Sequence, residues 1–307
     1  MTSVKMIAIS YMLVVASVWA GAPDATEANA TSPLIQSRFI SVKRNTLANP
    51  IKGLIAQVGK LSVDGLVQYT LLLQPDNGMP LSGWPVIIFN HGFHPEPSMN
   101  GRRTVDGLSD RPGDYYRQIP QTFARQGFLV VAPDYRGHNN SSGTEFTLQQ
   151  SSPDWYTRDV LGIVNALQST GSANMDHLFI LGHSMGAQVT LQAAAALGGN
   201  LKGSSIWSTS LPKRSPTATK PSEYATAYSL HRISGPINFH HAKHDKTAPF
   251  DDSTMIIKQL AGLGKTTELY SYLSDNHLFI DNNLQLAIAR DIAFFRRLMS
   301  AKDGPAN

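Results

Sequence analysis

The chain of 307 residues contains no cysteine. Disulfide bonds, thiolate metal ligands and a cysteine nucleophile are therefore excluded. The 26 Lys and Arg residues nearly balance the 22 Asp and Glu residues, and they are scattered along the chain. Because a nucleic-acid-binding protein concentrates its basic residues in one patch, we expect no nucleic-acid partner.

Internal repeats and low-complexity segments are also absent from the sequence, and 42% of the residues are hydrophobic. That fraction is enough for a sizeable core, and it excludes intrinsic disorder for most of the chain. From about Pro33 onward no stretch has the composition of a linker. We therefore predict one domain over residues 33–307, since single α/β domains of this length are common.

The amino-terminal segment has the pattern of an export signal. Lys5 precedes an apolar run at residues 6–18, which is too short to span a bilayer comfortably. We predict a signal peptide at residues 1–20, with a second cleavage option as late as residue 30. The mature protein is then periplasmic or secreted, with no stable membrane anchor. An uncleaved anchor is the alternative, and bacterial lipid attachment is excluded because no cysteine follows the run.

Short apolar runs alternate with helical stretches along the rest of the chain. Continuous runs, typical of strands buried on both faces of a parallel sheet, occur at residues 86–89, 128–132 and 178–181. Helical patterns separate them at residues 115–126, 155–169 and 185–197. Two strands are expected around the Asp64-Gly65 turn, and later ones at residues 203–209, 237–242 and 268–273. With a last helix at residues 283–300, this order predicts an α/β sheet with helices on both faces.

The strongest chemical signal is the sequence Gly-His-Ser-Met-Gly at residues 182–186, between a buried strand and an Ala-rich helix. A serine on such a turn points its hydroxyl above the sheet edge, and glycines two residues before and after it keep the tight junction free of side chains. We predict Ser184 as a nucleophile. The alternative is a serine that only caps the helix.

A serine nucleophile needs a base and an acid, which follow it in the order Asp or Glu, then His. Five histidines follow Ser184 at positions 231, 240, 241, 244 and 277. We choose His277, which lies in a loop just past the last predicted strand. Asp245 follows the strand at residues 237–242 and would hold the His277 tautomer. Asp251 and Asp252 compete for this role, but we expect them to cap the following helix.

The tetrahedral intermediate of acyl transfer needs two hydrogen-bond donors. We predict the backbone N–H of Met185, the residue after the nucleophile, as one of them. The loop after an earlier strand should supply the second, and we predict the backbone N–H of Phe93, which Gly92 leaves free to turn into the site. His91 is interpreted as a structural residue packed under this loop.

On these residues the sequence resembles the α/β-hydrolase superfamily over roughly residues 55–299. The carriers are the motifs at residues 91–93, 134–137 and 182–186, with Asp245 and His277. Residues 132–138 and 141–143 look like the dienelactone hydrolase and prolyl oligopeptidase catalytic-domain branch. The resemblance implies a mostly parallel sheet of about eight strands and a triad of Ser184, Asp245 and His277.

Two segments depart from that branch near the expected mouth of the site. Residues 239–242 read Phe-His-His-Ala where relatives often carry a His-Gly pair, and residues 95–113 form a long insertion. The insertion carries Arg102, Arg103 and Arg111, interpreted as solvated or as a rim that attracts an acidic substrate. Residues 208–234 are too short for a large cap, so we expect a small one. Substrate-binding residues cannot be assigned from this pattern.

Two other motifs are weighed and set aside. Residues 264–266 resemble the end of a phosphate-binding loop but follow a helix rather than a strand, so we expect no nucleotide cofactor. His240, His241 and His244 suggest a metal site, but adjacent residues of a strand face opposite ways. We therefore expect neither a metal nor any other cofactor.

The sequence leaves two classes of function. We favour a serine hydrolase that cleaves a small-molecule carboxylic ester, with a small-peptide or amide hydrolase as the alternative, because the residues before the first central strand are too few for the propeller domain of large peptidases. A catalytically silent binding or scaffold protein of the same fold is the other class. Retention of all three triad positions argues against it. The sequence does not determine an oligomeric state.

Overall fold

The computed structural model describes residues 35, 37–44, 51–94, 116, 118–147, 149, 152–211, 229–280 and 282–301. The signal segment, the arginine-bearing insertion and most of the cap segment proposed from the sequence lie outside these residues. Residues Thr31–Asn307 form one compact unit. Within the described ranges, no helix combines the length and the apolar character needed to cross a membrane.

In the described residues, nine strands make one sheet. They are β1 (Phe39–Arg44), β2 (Leu54–Val63), β3 (Leu66–Pro75), β4 (Trp84–Asn90), β5 (Leu129–Asp134), β6 (Ala173–His183), β7 (Gly203–Trp207), β8 (Ile237–Ala242) and β9 (Thr267–Tyr272). The described helices are α1 (Gln118–Arg125), α2 (Ser152–Leu167), α3 (Met185–Leu197), α4 (Phe250–Gly262) and α5 (Asn283–Ser300).

The strands follow the order β1-β2-β3-β5-β4-β6-β7-β8-β9. The first three strands are antiparallel, and β3 also pairs antiparallel with β5. All pairs from β5 to β9 are parallel. The prediction of a mostly parallel α/β sheet is confirmed, and the sheet has nine strands rather than about eight. Strand β1 escaped prediction because its Ile40 and Val42 are exposed at the sheet edge.

Helices cover both faces of the sheet, as the alternating pattern predicts. Ile87 and Phe89 of β4 pack in the layer that holds α1 and α5. Val86 and Ile88 pack in the opposite layer with α2 and α3. Because successive strand residues face opposite ways, one apolar run supplies both layers. The carboxyl ends of the parallel strands then meet at one edge of the sheet.

Helix boundaries agree with the sequence prediction at α3 and α5 and differ at α1 and α2. Helix α2 was expected at residues 155–169, yet it begins at Ser152 and ends at Leu167. The hydroxyls of Ser169 and Thr170 donate to the carbonyls of Ala166 and Leu167 at 2.8 Å each. These hydroxyls bond carbonyls that would otherwise accept from the backbone N–H groups of a further helical turn. The helix therefore ends there.

A buried carboxylate on α5 joins the helix to β7 and β8. Asp291 is fully buried. Its carboxylate accepts from four side chains, at 2.6 to 3.2 Å: Ser205, Trp207, Asn238 and His240. Buried donors are costly when left unpaired. The cluster therefore fixes the two strands whose carboxyl ends carry part of the candidate site.

We expect Asp291→Ala to lower the free energy of unfolding by about 3–5 kcal/mol, because removing one partner leaves the buried donors uncompensated. Chemical denaturation monitored by circular dichroism measures this change. Gln285→Ala, at an exposed position of the same helix, should change the value by less than about 0.5 kcal/mol. Equal effects of the two substitutions would contradict the role given to Asp291.

Candidate active site

Ser184 lies on a strained turn between β6 and α3. Its φ is 56° and its ψ is −122°, a conformation that non-glycine residues rarely adopt. The Ser184 backbone N–H donates to the Trp207 carbonyl of β7 at 2.9 Å, and its own carbonyl accepts from Ala187 at 2.9 Å. These two bonds hold the strained residue between the sheet and the helix. The side chain is half-buried rather than enclosed.

The two flanking glycines are required by close backbone approach. A Cβ atom on Gly182 would lie 2.1 Å from the Gly186 carbonyl oxygen and 2.3 Å from the Thr190 hydroxyl. A Cβ atom on Gly186 would lie 2.2 Å from the Asn90 carbonyl oxygen. All three distances are far below van der Waals contact. Glycine at these positions lets β6, α3 and the end of β4 converge around Ser184.

Asp245 and His277 meet at the same edge of the sheet. Asp245 follows β8, and His277 lies in the loop between β9 and α5. The His277 Nδ1 atom lies 2.7 Å from the Asp245 Oδ2 atom. The Asp245 side chain is fully buried, and that of His277 is 18% exposed. The carboxylate can accept a hydrogen only from a protonated Nδ1, so this bond assigns the proton to that ring nitrogen.

Asp245 is held in its charged form. Burial opposes ionisation, but hydrogen bonds from the His241 and His277 rings and from two backbone N–H groups outweigh it and keep the pKa of Asp245 well below its usual range. Thr247 and Ala248 donate those backbone bonds to Oδ1 at 2.8 and 3.0 Å. The oxygen that faces His277 is therefore fixed in direction.

The loop after β4 lies directly beside the serine. A Cβ atom on Gly92 would be 3.2 Å from the Ser184 Cβ and 2.5 Å from the Tyr116 hydroxyl. The Gly92 N–H donates to that hydroxyl at 2.9 Å. Among the described residues, the next amide, that of Phe93, has no hydrogen-bond partner, and neither has the amide of Met185. Two unpaired amides thus flank the serine.

His277 Nε2 is the atom that would take a proton from Ser184. It is buried and makes no hydrogen bond to any described residue. The Ser184–His277 bond is therefore not formed in this structure. Catalytic hydrogen bonds are often long before substrate binds and shorten in the complex.

The other predicted or rejected candidates do not contact Ser184 or His277, although His241 lies beside Asp245. Asp251 and Asp252 are not helix caps, because Pro249 takes the cap position of α4 and places both in its first turn. Asp252 instead accepts from the Leu211 backbone N–H at 3.0 Å. His240 bonds Asp291, whereas His241 bonds Ser253 on the other face of the sheet. Within the described part of the chain, no group of three or more side chains could hold a metal ion.

The sequence is similar to those of known hydrolases. Residues 104–224 match the family model Hydrolase_4, described as serine aminopeptidase, S33. The chain is 25% identical over 178 residues to the uncharacterized peptidase YtmA of Bacillus subtilis, a match that covers 51% of this chain and 67% of that protein.

Solved structures extend the comparison to nearly the whole fold. A Klebsiella pneumoniae chain assigned as a dienelactone hydrolase superposes with a TM-score of 0.59 at 16% identity, covering 76% of this chain and 95% of the other. The chain has the α/β-hydrolase fold. Acetyl xylan esterase 1 of a Thermoanaerobacterium species superposes with a TM-score of 0.59 at 16% identity, covering 85% and 88%.

Peptidases share this α/β-hydrolase fold over part of their length. The acylaminoacyl peptidase of Pyrococcus horikoshii superposes with a TM-score of 0.64 at 18% identity. The match covers 83% of this chain but 43% of the peptidase. The present chain therefore spans less than half the length of that enzyme.

Three residues of this candidate site could not be found from the sequence. His183 and Tyr116 bond each other beside the serine, at 2.8 Å between the His183 Nδ1 and the Tyr116 hydroxyl. His241 lies 3.4 Å from the Asp245 carboxylate. His183 sits inside the serine motif, which is the one available signal. Tyr116 belongs to no local pattern, and the sequence offers His241 only as one of five candidate bases and as a candidate metal ligand.

The buried histidines of the folded protein predict acid lability. Burial lowers the pKa of His91 from 6.5 to about 4 and that of His183 to about 3. On acidification the unfolded chain takes up protons near pH 6.5, while the folded protein does not until the pH is far lower. The stability present above about pH 6.5 is therefore lost progressively toward pH 4.

Urea denaturation at a series of pH values between about 8 and 4.5 measures this loss as a falling free energy of unfolding. Replacing the exposed His231 by Gln should leave the slope unchanged. A flat profile across this window would contradict neutral, buried His91 and His183 in the folded state.

Proposed function

We propose that the protein is a serine hydrolase that cleaves carboxylic esters through Ser184, His277 and Asp245. The single observation that carries the proposal is the 2.7 Å contact between His277 and Asp245 beside the strained Ser184 turn. Charge on Asp245 stabilises the imidazolium that forms when His277 accepts the serine proton. A catalytically silent protein would have no need for this buried acid–histidine pair.

Acylation begins when Ser184 Oγ attacks the ester carbonyl and His277 Nε2 takes the hydroxyl proton. The carbonyl oxygen becomes an oxyanion, which the Phe93 and Met185 amides stabilise by donating hydrogen bonds. Collapse of this intermediate breaks the bond to the alcohol, which leaves with the proton from His277. Water, deprotonated by His277, then attacks the acyl-enzyme. The bond between the acyl carbon and Ser184 Oγ breaks, His277 returns the proton to that oxygen, and the carboxylic acid is released. The chemistry needs no cofactor.

The ester assignment is supported by how much of each structural neighbour this chain covers. The esterase and the dienelactone hydrolase relative are covered to 88% and 95%, whereas the acylaminoacyl peptidase is covered to 43%. The alternative is a small-peptide or amide hydrolase, which the serine aminopeptidase family match and the peptidase YtmA favour. Both reactions use the same three residues.

Turnover of p-nitrophenyl esters of increasing acyl length, beside amino-acid p-nitroanilides, separates the two candidates. We expect kcat/KM for the best ester to exceed that for the best anilide by several orders of magnitude. Ser184→Ala protein serves as the control for both reactions. A higher kcat/KM for the anilides would contradict the ester hydrolase and favour the peptidase.

We also propose that the protein is exported, on the basis of the Lys5-led apolar run at residues 6–18. Mass spectrometry of protein recovered from a periplasmic or culture fraction should then show a first residue near Gly21 or Thr31. Recovery of chains beginning at Met1 from a membrane fraction would contradict cleavage and favour an anchor.

A further inference from the structure

A chain of hydrogen bonds connects three loops of the candidate site. The Gly92 N–H of the β4 loop donates to the Tyr116 hydroxyl at 2.9 Å. The same hydroxyl lies 2.8 Å from His183 Nδ1. On the other side of the ring, His183 Nε2 lies 2.9 Å from the backbone carbonyl of His277. We call Gly92, Tyr116, His183 and His277 the relay.

The direction of each bond in the relay is fixed. A carbonyl oxygen only accepts, so His183 Nε2 must carry the hydrogen that reaches His277. The ring is neutral, since burial lowers the pKa of His183 to about 3. Its Nδ1 atom therefore has no hydrogen and accepts one from the Tyr116 hydroxyl. The hydroxyl oxygen in turn accepts from Gly92, so each bond is compatible with the next.

The relay holds the two parts of the site that must act together. At one end it fixes the Gly92 peptide, which sets the direction of the following Phe93 amide. At the other end it fixes the backbone of His277, whose ring also packs against His183 with 4.6 Å between ring centroids. Misplacing a reacting group by about 1 Å can cost about 100-fold in rate.

We propose that Tyr116 and His183 are positioning residues. They hold the oxyanion donor, the Phe93 amide, and the general base, His277, in the positions that the reaction of Ser184 requires. This inference rests on the proposed function. Neither side chain takes part in bond making. Loss of the relay should lower kcat per active site and leave KM nearly unchanged, because the surface that binds the substrate remains in place.

The test compares Tyr116→Phe with Tyr156→Phe. Each removes one hydroxyl from a buried tyrosine, but Tyr156 lies outside the relay, stacked on Tyr135 with its hydroxyl near Ser152. Fluorophosphonate titration counts active sites, and p-nitrophenyl ester turnover then gives kcat per site. We expect Tyr116→Phe to lower kcat by about 10- to 100-fold with KM changed less than about threefold. Tyr156→Phe should change neither value by more than about twofold.

His183→Gln provides a second, independent arm. A glutamine amide can still donate to the His277 carbonyl, but it does not supply the ring nitrogen that Tyr116 bonds. Combining His183→Gln with Tyr116→Phe should therefore cost much less than the product of the single losses, since both break the same link. Independent, multiplicative losses would contradict the relay even if each variant is slow.

The outcomes separate this inference from the proposed function. If wild-type protein is active but Tyr116→Phe behaves like Tyr156→Phe, or if only KM or the melting temperature changes, the positioning role is overturned and the hydrolase stands. If the Tyr116→Phe protein does not fold, the phosphonylation rate of His183→Gln decides, and a wild-type rate overturns the relay. If the wild type neither hydrolyses esters nor reacts with a fluorophosphonate, both proposals fall together.

Discussion

Ser184→Ala is expected to abolish ester turnover while leaving the fold intact. Alanine fits the strained turn as serine does, and no side-chain hydrogen bond of Ser184 caps α3. Without the hydroxyl no acyl-enzyme can form, and loss of a triad member in a serine hydrolase costs a factor of about 10⁶ in kcat. Steady-state kinetics with a p-nitrophenyl ester, beside circular dichroism of the same sample, measure both properties.

The magnitude of this loss distinguishes the nucleophile from an ordinary site residue. The oxyanion donors and substrate contacts that remain would keep only a small residual rate above that of water. A variant that retains more than about 1% of wild-type kcat would show that Ser184 is not the nucleophile. Loss of folding in the variant would instead point to a structural role of the hydroxyl.

Asp245→Asn is expected to lower kcat by a factor on the order of 10⁴ without unfolding the protein. The Thr247 and Ala248 amides donate to one carboxylate oxygen, so in the variant they select the amide oxygen for that position. The new NH₂ group then faces His277 Nδ1 and donates to it. That forces the His277 hydrogen onto Nε2, where it blocks acceptance of the serine proton.

Two neighbouring aspartates provide the controls for this substitution. Asp251→Asn and Asp252→Asn remove a negative charge from the first turn of α4, which costs at most about 1 kcal/mol of stability. The amide oxygen of an asparagine at position 252 can still accept from Leu211. Activity should stay near wild type in both. If Asp245→Asn is active and either control is inactive, the acid has been assigned to the wrong residue.

The features that sequence reasoning predicts well are those with local requirements. The serine motif is readable because one turn demands two glycines around Ser184, and the Cβ contacts at Gly182 and Gly186 give the reason. Asp245 and His277 could be paired from chain order, because parallel strands bring their carboxyl ends to one edge.

Features that depend on distant pairs were not readable. Tyr116 and His183 are 67 positions apart, and their contact exists only once α1, β4 and β6 have packed. The role of Asp291 depends on donors from two strands that precede it by 51 to 86 positions. The prediction that Asp251 and Asp252 cap α4 was wrong. Pro249, with φ of −60° and ψ of 131°, takes the cap position before either aspartate.

The most direct measurement of the central claim is site-resolved labelling with a fluorophosphonate. We expect one phosphonyl group per chain, mapped by tandem mass spectrometry to Ser184, and no labelling of Ser184→Ala. Labelling should also be slowed strongly in Asp245→Asn, because the probe needs the activated serine. A folded protein that stays unlabelled, or one labelled at another residue, would contradict a hydrolase built on Ser184, His277 and Asp245.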